Sequence, residues 1–137
     1  MFTSTAPALA HGVNTYGAMG AGIAKTFREK YPDMYEMYKA ECQSKSLTPG
    51  GMFGWIPLEG PTIYNLASQD FPGPRAKLVW LGSALMYALK DADLRGYDRI
   101  AVPRIGAGIG GLDWEPVEAT MRGLARQSKC DLEIWTL

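Results

Sequence analysis

The sequence predicts an α/β fold, a largely parallel sheet with helices on its faces, and three observations carry that expectation. Short apolar runs suited to buried strands alternate along the chain with stretches whose apolar residues recur at helical spacing. Two glycine clusters, Gly17-Ala18-Met19-Gly20-Ala21-Gly22 and Gly106-Ala107-Gly108-Ile109-Gly110-Gly111, each follow a predicted strand and precede a predicted helix. The chain has 137 residues, 47% of them apolar, which suits a single domain over residues 1–137 with a core that needs neither disulfide nor metal.

The elements follow in order. Ala8 to Val13 reads as a buried strand running into Asn14-Thr15-Tyr16-Gly17. After Gly22, the residues Ile23, Ala24, Phe27 and Tyr31 mark one face of a helix, with Lys25, Arg28 and Lys30 on the other, and Pro32 stops it. A second helix from Asp33 carries Met34, Tyr35, Met37, Tyr38 and Cys42, and Pro49-Gly50-Gly51 makes a turn. Met52 to Pro57 and Thr62 to Ala67, joined by Leu58-Glu59-Gly60-Pro61, read as a hairpin or as neighbouring strands. Arg75 to Ala92 shows Leu78, Leu81, Leu85, Leu89 and Ala92 at helical spacing, with Gly96 placed as a C-cap. Ile100-Ala101-Val102 is a compact strand, Trp114 to Gln127 a helix, and Leu132 to Leu137 the closing strand.

Charge and cysteine usage narrow the function classes. Fourteen basic residues balance fourteen acidic ones, so no global field draws the chain to bulk nucleic acid or an anionic membrane. Cys42 and Cys130 lack the spacing of a metal or redox pair and read as reduced, half-buried thiols. Met1 to Ala10 has no basic and apolar pattern of a secretion signal, and no run approaches the ~20 apolar residues of a membrane span. We expect a cytoplasmic monomer with no membrane partner.

A glycine loop at a strand end lets main-chain N–H groups approach a ligand that a Cβ would hold off, and the helix that follows presents its positive end. Both features suit a phosphate, and two such loops can grip one diphosphate from opposite sides. Neither cluster is a P-loop, because no Gly-Lys-Ser/Thr follows.

The stretch from Ala10 to Ala24 resembles the first ligand loop of macrodomains, and Val102 to Trp114 resembles their second phosphate loop. The Met-Gly-x-Gly-Ile-Ala and Val-Pro-Arg-Ile-Gly pieces are most similar to the branch holding terminal ADP-ribose protein glycohydrolase and the DNA ADP-ribosyl glycohydrolase antitoxins. The resemblance spans almost the whole chain, Ile63 to Gln69 and the final strand included, and implies a three-layer α/β/α sandwich with a mostly parallel, mixed sheet. It implies ADP-ribose or a derivative as ligand, free or carried on an ADP-ribosylated protein or nucleic acid as partner, with no metal and no organic cofactor.

Residue by residue, the resemblance brings Asn14 with Met19, Gly20, Ala21, Gly22 and Ile23 to the distal ribose and diphosphate. It wraps the backbone of Ile105, Gly106, Ala107, Gly108, Ile109 and Gly110 round the diphosphate from the other side, next to Pro103 and Arg104. Ser68 and Gln69 close the strand that ends at the site. Three departures accompany it. Glycohydrolases of this branch carry a lysine where this chain has Gln69, and an aspartate where it has Gly110, so a lysine adduct is not expected. Family chains also begin with a further strand and a Gly-Asp pair that contacts adenine; here no acidic residue precedes Glu29, and the first strand is expected to be missing.

His11 and Asp113 are the candidate catalysts, each with a plainer reading beside it. His11, the lone histidine, serves either as general acid or base or as a hydrogen-bonded residue of the strand. Asp113 either orients a water near the distal phosphate or caps the helix that Pro116 helps to start. Gln69 and Asp70 either hold a water or ribose hydroxyl or are loop polarity, and Arg104 either meets a phosphate or makes a structural ion pair. Trp114 is the one tryptophan placed to line a pocket. Three functions stand open: a hydrolase acting on an ADP-ribose derivative by water alone, a non-catalytic ADP-ribose reader, and a general nucleotide or phosphosugar binder.

Overall fold

Alternation along the first apolar run decides the architecture. The structure, a computed structural model, describes residues 1–136. In β1 (Ala8–Asn14), Ala8 and Ala10 enter one hydrophobic cluster while Leu9 and Val13 enter another on the opposite face. A strand buried on both faces needs a layer on each side. Phe27 of α1 (Gly22–Lys30) with Met34 and Tyr38 of α2 (Pro32–Gln43) builds one layer. Leu81, Leu85 and Leu89 of α3 (Leu78–Arg95) with Val117 and Met121 of α4 (Trp114–Ala125) build the other.

The remaining strands are β2 (Met52–Trp55), β3 (Thr62–Gln69), β4 (Arg99–Val102) and β5 (Asp131–Ile134), and the five-stranded sheet has the order β2-β3-β1-β4-β5. β1 pairs in parallel with β3 and β4, β4 in parallel with β5, and β2 antiparallel to β3. This is the mixed, mostly parallel three-layer sandwich that the sequence implies. The chain leaves β1 towards the α1–α2 layer and leaves β4 towards the α3–α4 layer. The carboxyl ends of these two neighbouring strands therefore part, and in open α/β sheets such a point is where a cleft forms.

Three boundaries differ from expectation. Pro32 is the first residue of α2, with Tyr31 alone between the two helices, because a proline at the first helical position sacrifices an N–H that has no partner there anyway. The long helix starts at Leu78 rather than Arg75, since Lys77 donates its N–H to the Ser68 carbonyl and holds 70–77 as a loop. β5 stops at Ile134, Trp135 donates a last bond to the Val102 carbonyl, and Leu137 lies outside the described residues. Gly96 closes α3 in the left-handed conformation, with φ of 75°. Cys42 and Cys130 are free and buried. Among the described residues, no helix is long and apolar enough to cross a membrane.

Candidate functional site

A cavity of about 920 Å³ opens where β1 and β4 part, within the range that takes a small organic ligand. The β1–α1 loop forms one wall, the β4–α4 loop a second, and the end of β3 with Pro72 and Gly73 a third.

Asn14 shapes the first wall. Its Oδ1 accepts from the N–H groups of Gly17 and Ala18, at 3.0 and 3.2 Å, and its Nδ2 donates to the Ala18 carbonyl at 2.9 Å. The Tyr38 hydroxyl, from the buried face of α2, reaches both the Asn14 carbonyl, at 2.6 Å, and Oδ1, at 3.1 Å. The side chain thus folds the loop back on itself, which positions Met19, Gly20, Ala21, Gly22 and Ile23 along the cavity. With 8% of its surface exposed, Asn14 borders the cavity but spends its amide on the loop.

In the second wall the glycines answer to crowding. A Cβ on Gly110 would stand 2.9 Å from the Gly106 carbonyl oxygen and 3.0 Å from the Ala76 Cβ, so a side chain has no room there. Gly110 in turn accepts the N–H of Ala76, and Leu112 donates to the Gly106 carbonyl, which fixes the curl. Among the described residues, the N–H groups of Gly106, Gly108, Ile109 and Gly110 have no protein acceptor. Unpaired amides in a concave loop are donors in search of an anion or water.

The third wall hangs on Thr15 and Gln69. Thr15 donates its N–H to the Gln69 carbonyl at 3.1 Å and its hydroxyl to the Asp70 carbonyl at 3.4 Å, tying the first loop to the end of β3. Gln69 Nε2 donates to the carbonyls of Phe71 and Gly73, at 2.7 and 3.0 Å. The register between β1 and β3 slips after Val13, so Asn14 pairs with Gln69 and Ser68 is left out of the ladder at the cavity. Gly12 permits the approach: a Cβ there would meet Ser68 Oγ and Ile105 Cγ2, both at 2.8 Å.

Of the residues that line the cavity, Arg104 and Asp113 carry charge. Arg104 is exposed and lies over the Trp114 ring, 5.1 Å from its centroid, and it makes no ion pair among the described residues. Asp113 occupies the N-cap position of α4, yet its side chain makes no capping hydrogen bond, which leaves the carboxylate open to the cavity. Trp114 borders the cavity as well.

His11 is elsewhere. It is fully buried, stacks on Phe27 with centroids 3.8 Å apart, and shares a 2.7 Å hydrogen bond with Asn65. Asn65 donates its Nδ2 to the Phe53 carbonyl, so its Oδ1 faces the imidazole and Nε2 carries the proton. Nδ1 is then a bare acceptor, enclosed and without a partner. Burial pulls the imidazole down to about 4, and the side chain does not border the cavity. The expectation of a general acid or base at His11 is corrected accordingly: on a strand buried on both faces, the side chain of residue 11 points into the α1–α2 layer.

Every residue expected in the ligand loops borders this one cavity, from Asn14 and Met19–Ile23 through Ser68 and Gln69 to Pro103–Gly110. Sequence reasoning missed Pro72, Gly73 and Thr136, which complete the wall. Pro72-Gly73-Pro74, turn residues directly after a strand, were the signal for the first two. Nothing in the sequence pointed to Thr136.

Fold and cleft define an α/β domain with a ligand-sized site at the carboxyl ends of its parallel strands. The chain belongs to the Macro domain family, whose model matches residues 10–121. It is 36% identical over 114 residues to the DNA ADP-ribosyl glycohydrolase of Mycobacterium tuberculosis, covering 81% of this chain and 32% of that protein. The chain thus spans about a third of that relative's length. It is 32% identical to the ADP-ribose 1''-phosphate phosphatase of Candida albicans, over 89% of this chain and 87% of that one. Among solved structures, the macrodomain of Mycobacterium tuberculosis DarG superposes with a TM-score of 0.88 at 32% identity, covering 97% of this chain and 90% of that one. The fold is also that of Thermosipho africanus DarTG, solved in complex with ADP-ribose, with a TM-score of 0.91, 23% identity, and coverage of 100% of this chain and 39% of that one.

Proposed function

We propose that this macrodomain binds ADP-ribose in the strand-end cavity and hydrolyses a derivative of it with water, without a lysine adduct. The observation that carries the reading is the run of acceptor-free N–H groups at Gly106, Gly108, Ile109 and Gly110 in a loop that lines the cavity. A diphosphate supplies the acceptors these donors lack, and Arg104 adds a cation beside them. The names of the two curated relatives both place an ADP-ribosyl group in the substrate.

The lining residues set the chemistry. No lysine is among them, and the Gln69 amide is no nucleophile, so water must attack. Asp113, uncommitted to its helix, is the carboxylate placed to take the proton from that water, and the departing group leaves with a proton in exchange. The substrates that fit are ADP-ribose 1''-phosphate, an O-acyl ester, or ADP-ribose carried on protein or nucleic acid. We expect the domain to work in the cytoplasm as a monomer, without metal or cofactor; its two free, buried thiols suit a reducing compartment. A reader that binds without turnover is the competing reading, and the solvent exposure of Asp113 favours it.

Turnover of ADP-ribose 1''-phosphate and of an ADP-ribosylated oligonucleotide by the purified chain tests the proposal. We expect release of ADP-ribose, slowed roughly 100-fold in Asp113→Asn. Binding of ADP-ribose with no turnover of either compound would leave the reader.

A further inference from the structure

Two uncharged polar groups on the third wall have no partner. Ser68 is 1% exposed, and among the described residues its hydroxyl makes no hydrogen bond. His11 Nδ1 is the one described side-chain polar atom both fully enclosed and unpartnered, so the Ser68 hydroxyl has an opening, and Ser68 borders the cavity. Gln69 leaves its oxygen in the same position. Its Nε2 meets the carbonyls of Phe71 and Gly73, and a carbonyl pairs with an NH2 but not with another oxygen. Both N–H groups therefore face the turn, and Oε1 is held away from it as a fixed acceptor, unpartnered and not enclosed. The slipped register after Val13 lets these consecutive residues both reach the cavity, where a regular strand would turn them to opposite faces.

The surroundings say what such a corner takes. Asp70 gives both carboxylate oxygens to Arg75, at 3.0 and 2.6 Å, so the corner is electrically neutral. An anion is drawn instead to the free amides of the second loop and to Arg104, and the fixed acceptor at Gln69 repels it. A hydroxyl suits both groups, since it donates to Gln69 Oε1 and either donates to or accepts from Ser68 Oγ. β3 and β4 flank β1, so their ends stand about 10 Å apart, a span that a sugar covers when its diphosphate sits on the second loop. Trp114, the one aromatic residue among those lining the cavity, belongs to the second-loop wall, which leaves the sugar remote from the base for β3. The floor is also close-packed: a carbon added at Gly12 would meet Ser68 Oγ and Ile105 Cγ2, both at 2.8 Å.

We propose that Ser68 and Gln69 hold the 2'' and 3'' hydroxyls of the terminal ribose, so that the site accepts ADP-ribose substituted at C1'' and excludes groups carried on the other two oxygens. The inference rests on the ADP-ribose reading above and narrows it: an O-acyl group at 2'' or 3'' is shut out, and one at 1'' is admitted. Ser68 and Gln69 set specificity by binding and take no proton.

The test is calorimetric, with ADP, ADP-ribose and its 1''-, 2''- and 3''-O-methyl ethers as ligands. The parent should bind the 1'' ether as tightly as ADP-ribose and each of the other two roughly tenfold more weakly. Ser68→Ala and Gln69→Ala should each lower the ratio of ADP-ribose to ADP affinity about fivefold, one hydrogen bond's worth. That ratio cancels any change in the shape of the wall, which both ligands feel, and Ser68→Ala removes a hydroxyl that makes no bond within the described protein. Equal binding of all three ethers would overturn the proposal. So would an unchanged ratio in both variants, whether the two ligands weaken together or not at all. Failure of ADP-ribose itself to bind the folded parent would instead defeat the underlying reading, and the floor with it.

Discussion

Ile109 and Gly22 meet across the cleft: the Ile109 Cδ1 stands 3.2 Å from where a Cβ on Gly22 would lie. One residue belongs to each loop, so the apolar tip of Ile109 roofs the cavity and Gly22, with φ of 59°, leaves space for it. Truncating Ile109 to alanine should unroof the bound ligand. We expect ADP-ribose to dissociate faster and bind roughly tenfold more weakly, with thermal stability unchanged because Ile109 is 56% exposed. Stopped-flow release and calorimetry check both halves.

Asn14 holds the first loop through three acceptor contacts and one donor contact. Asn14→Ala would strip partners from the Gly17 and Ala18 N–H groups in a largely buried place, at a cost of about 2 kcal/mol. Chemical denaturation should register that loss, and ADP-ribose affinity should fall with it because the loop loses its shape. Tyr38→Phe removes the 2.6 Å bond to the Asn14 carbonyl and should produce the same two effects at about half the size.

His11 makes stability pH-dependent. Its imidazole falls from 6.5 to about 4 on folding, through burial first, opposed by the hydrogen bond with Asn65. The unfolded chain therefore takes up the proton first as pH drops. Above 6.5 both states are neutral at this residue and stability is flat with respect to it; between 6.5 and about 4 it declines, by at most about 3 kcal/mol, and then levels off. Denaturant melts across that window should show the slope, and His11→Gln should remove it. Because the ring does not reach the cavity, the same variant should leave the pH profile of turnover in place.

Gly110 should resist replacement by aspartate. The added Cβ would press on the Gly106 backbone and on Ala76, and neither is the far end of a flexible side chain. We expect Gly110→Asp to lose about 2 kcal/mol and to weaken ADP-ribose binding through distortion of the curl, visible as a lowered melting temperature. A stable variant that binds normally would show that the second loop is more pliable than its packing implies.

Most of the fold was legible because strand and helix periods are clean here: Ala8, Ala10 against Leu9, Val13, and Leu78, Leu81, Leu85, Leu89 announce their elements without tertiary information. The glycine clusters located two of the three walls for the same reason, since they break apolar runs at strand ends. What stayed hidden depends on chain reversal. That Asn14 would spend its amide on Gly17 and Ala18, that Asp113 would sit at a cap without capping, and that Thr136 would return to the cavity are matters of local geometry. The side to which His11 points follows from the alternation of β1, once both of its faces are known to be covered.

The measurement that bears most directly on the account is a calorimetric titration of the chain with ADP-ribose, with AMP and ribose 5-phosphate as comparators. The two-loop cavity predicts micromolar binding of ADP-ribose at one site and much weaker binding of either comparator, since each presents a single phosphate to the free N–H groups of the second loop and fills less of the cavity. A folded chain that binds none of them, or that binds AMP as tightly as ADP-ribose, would contradict it.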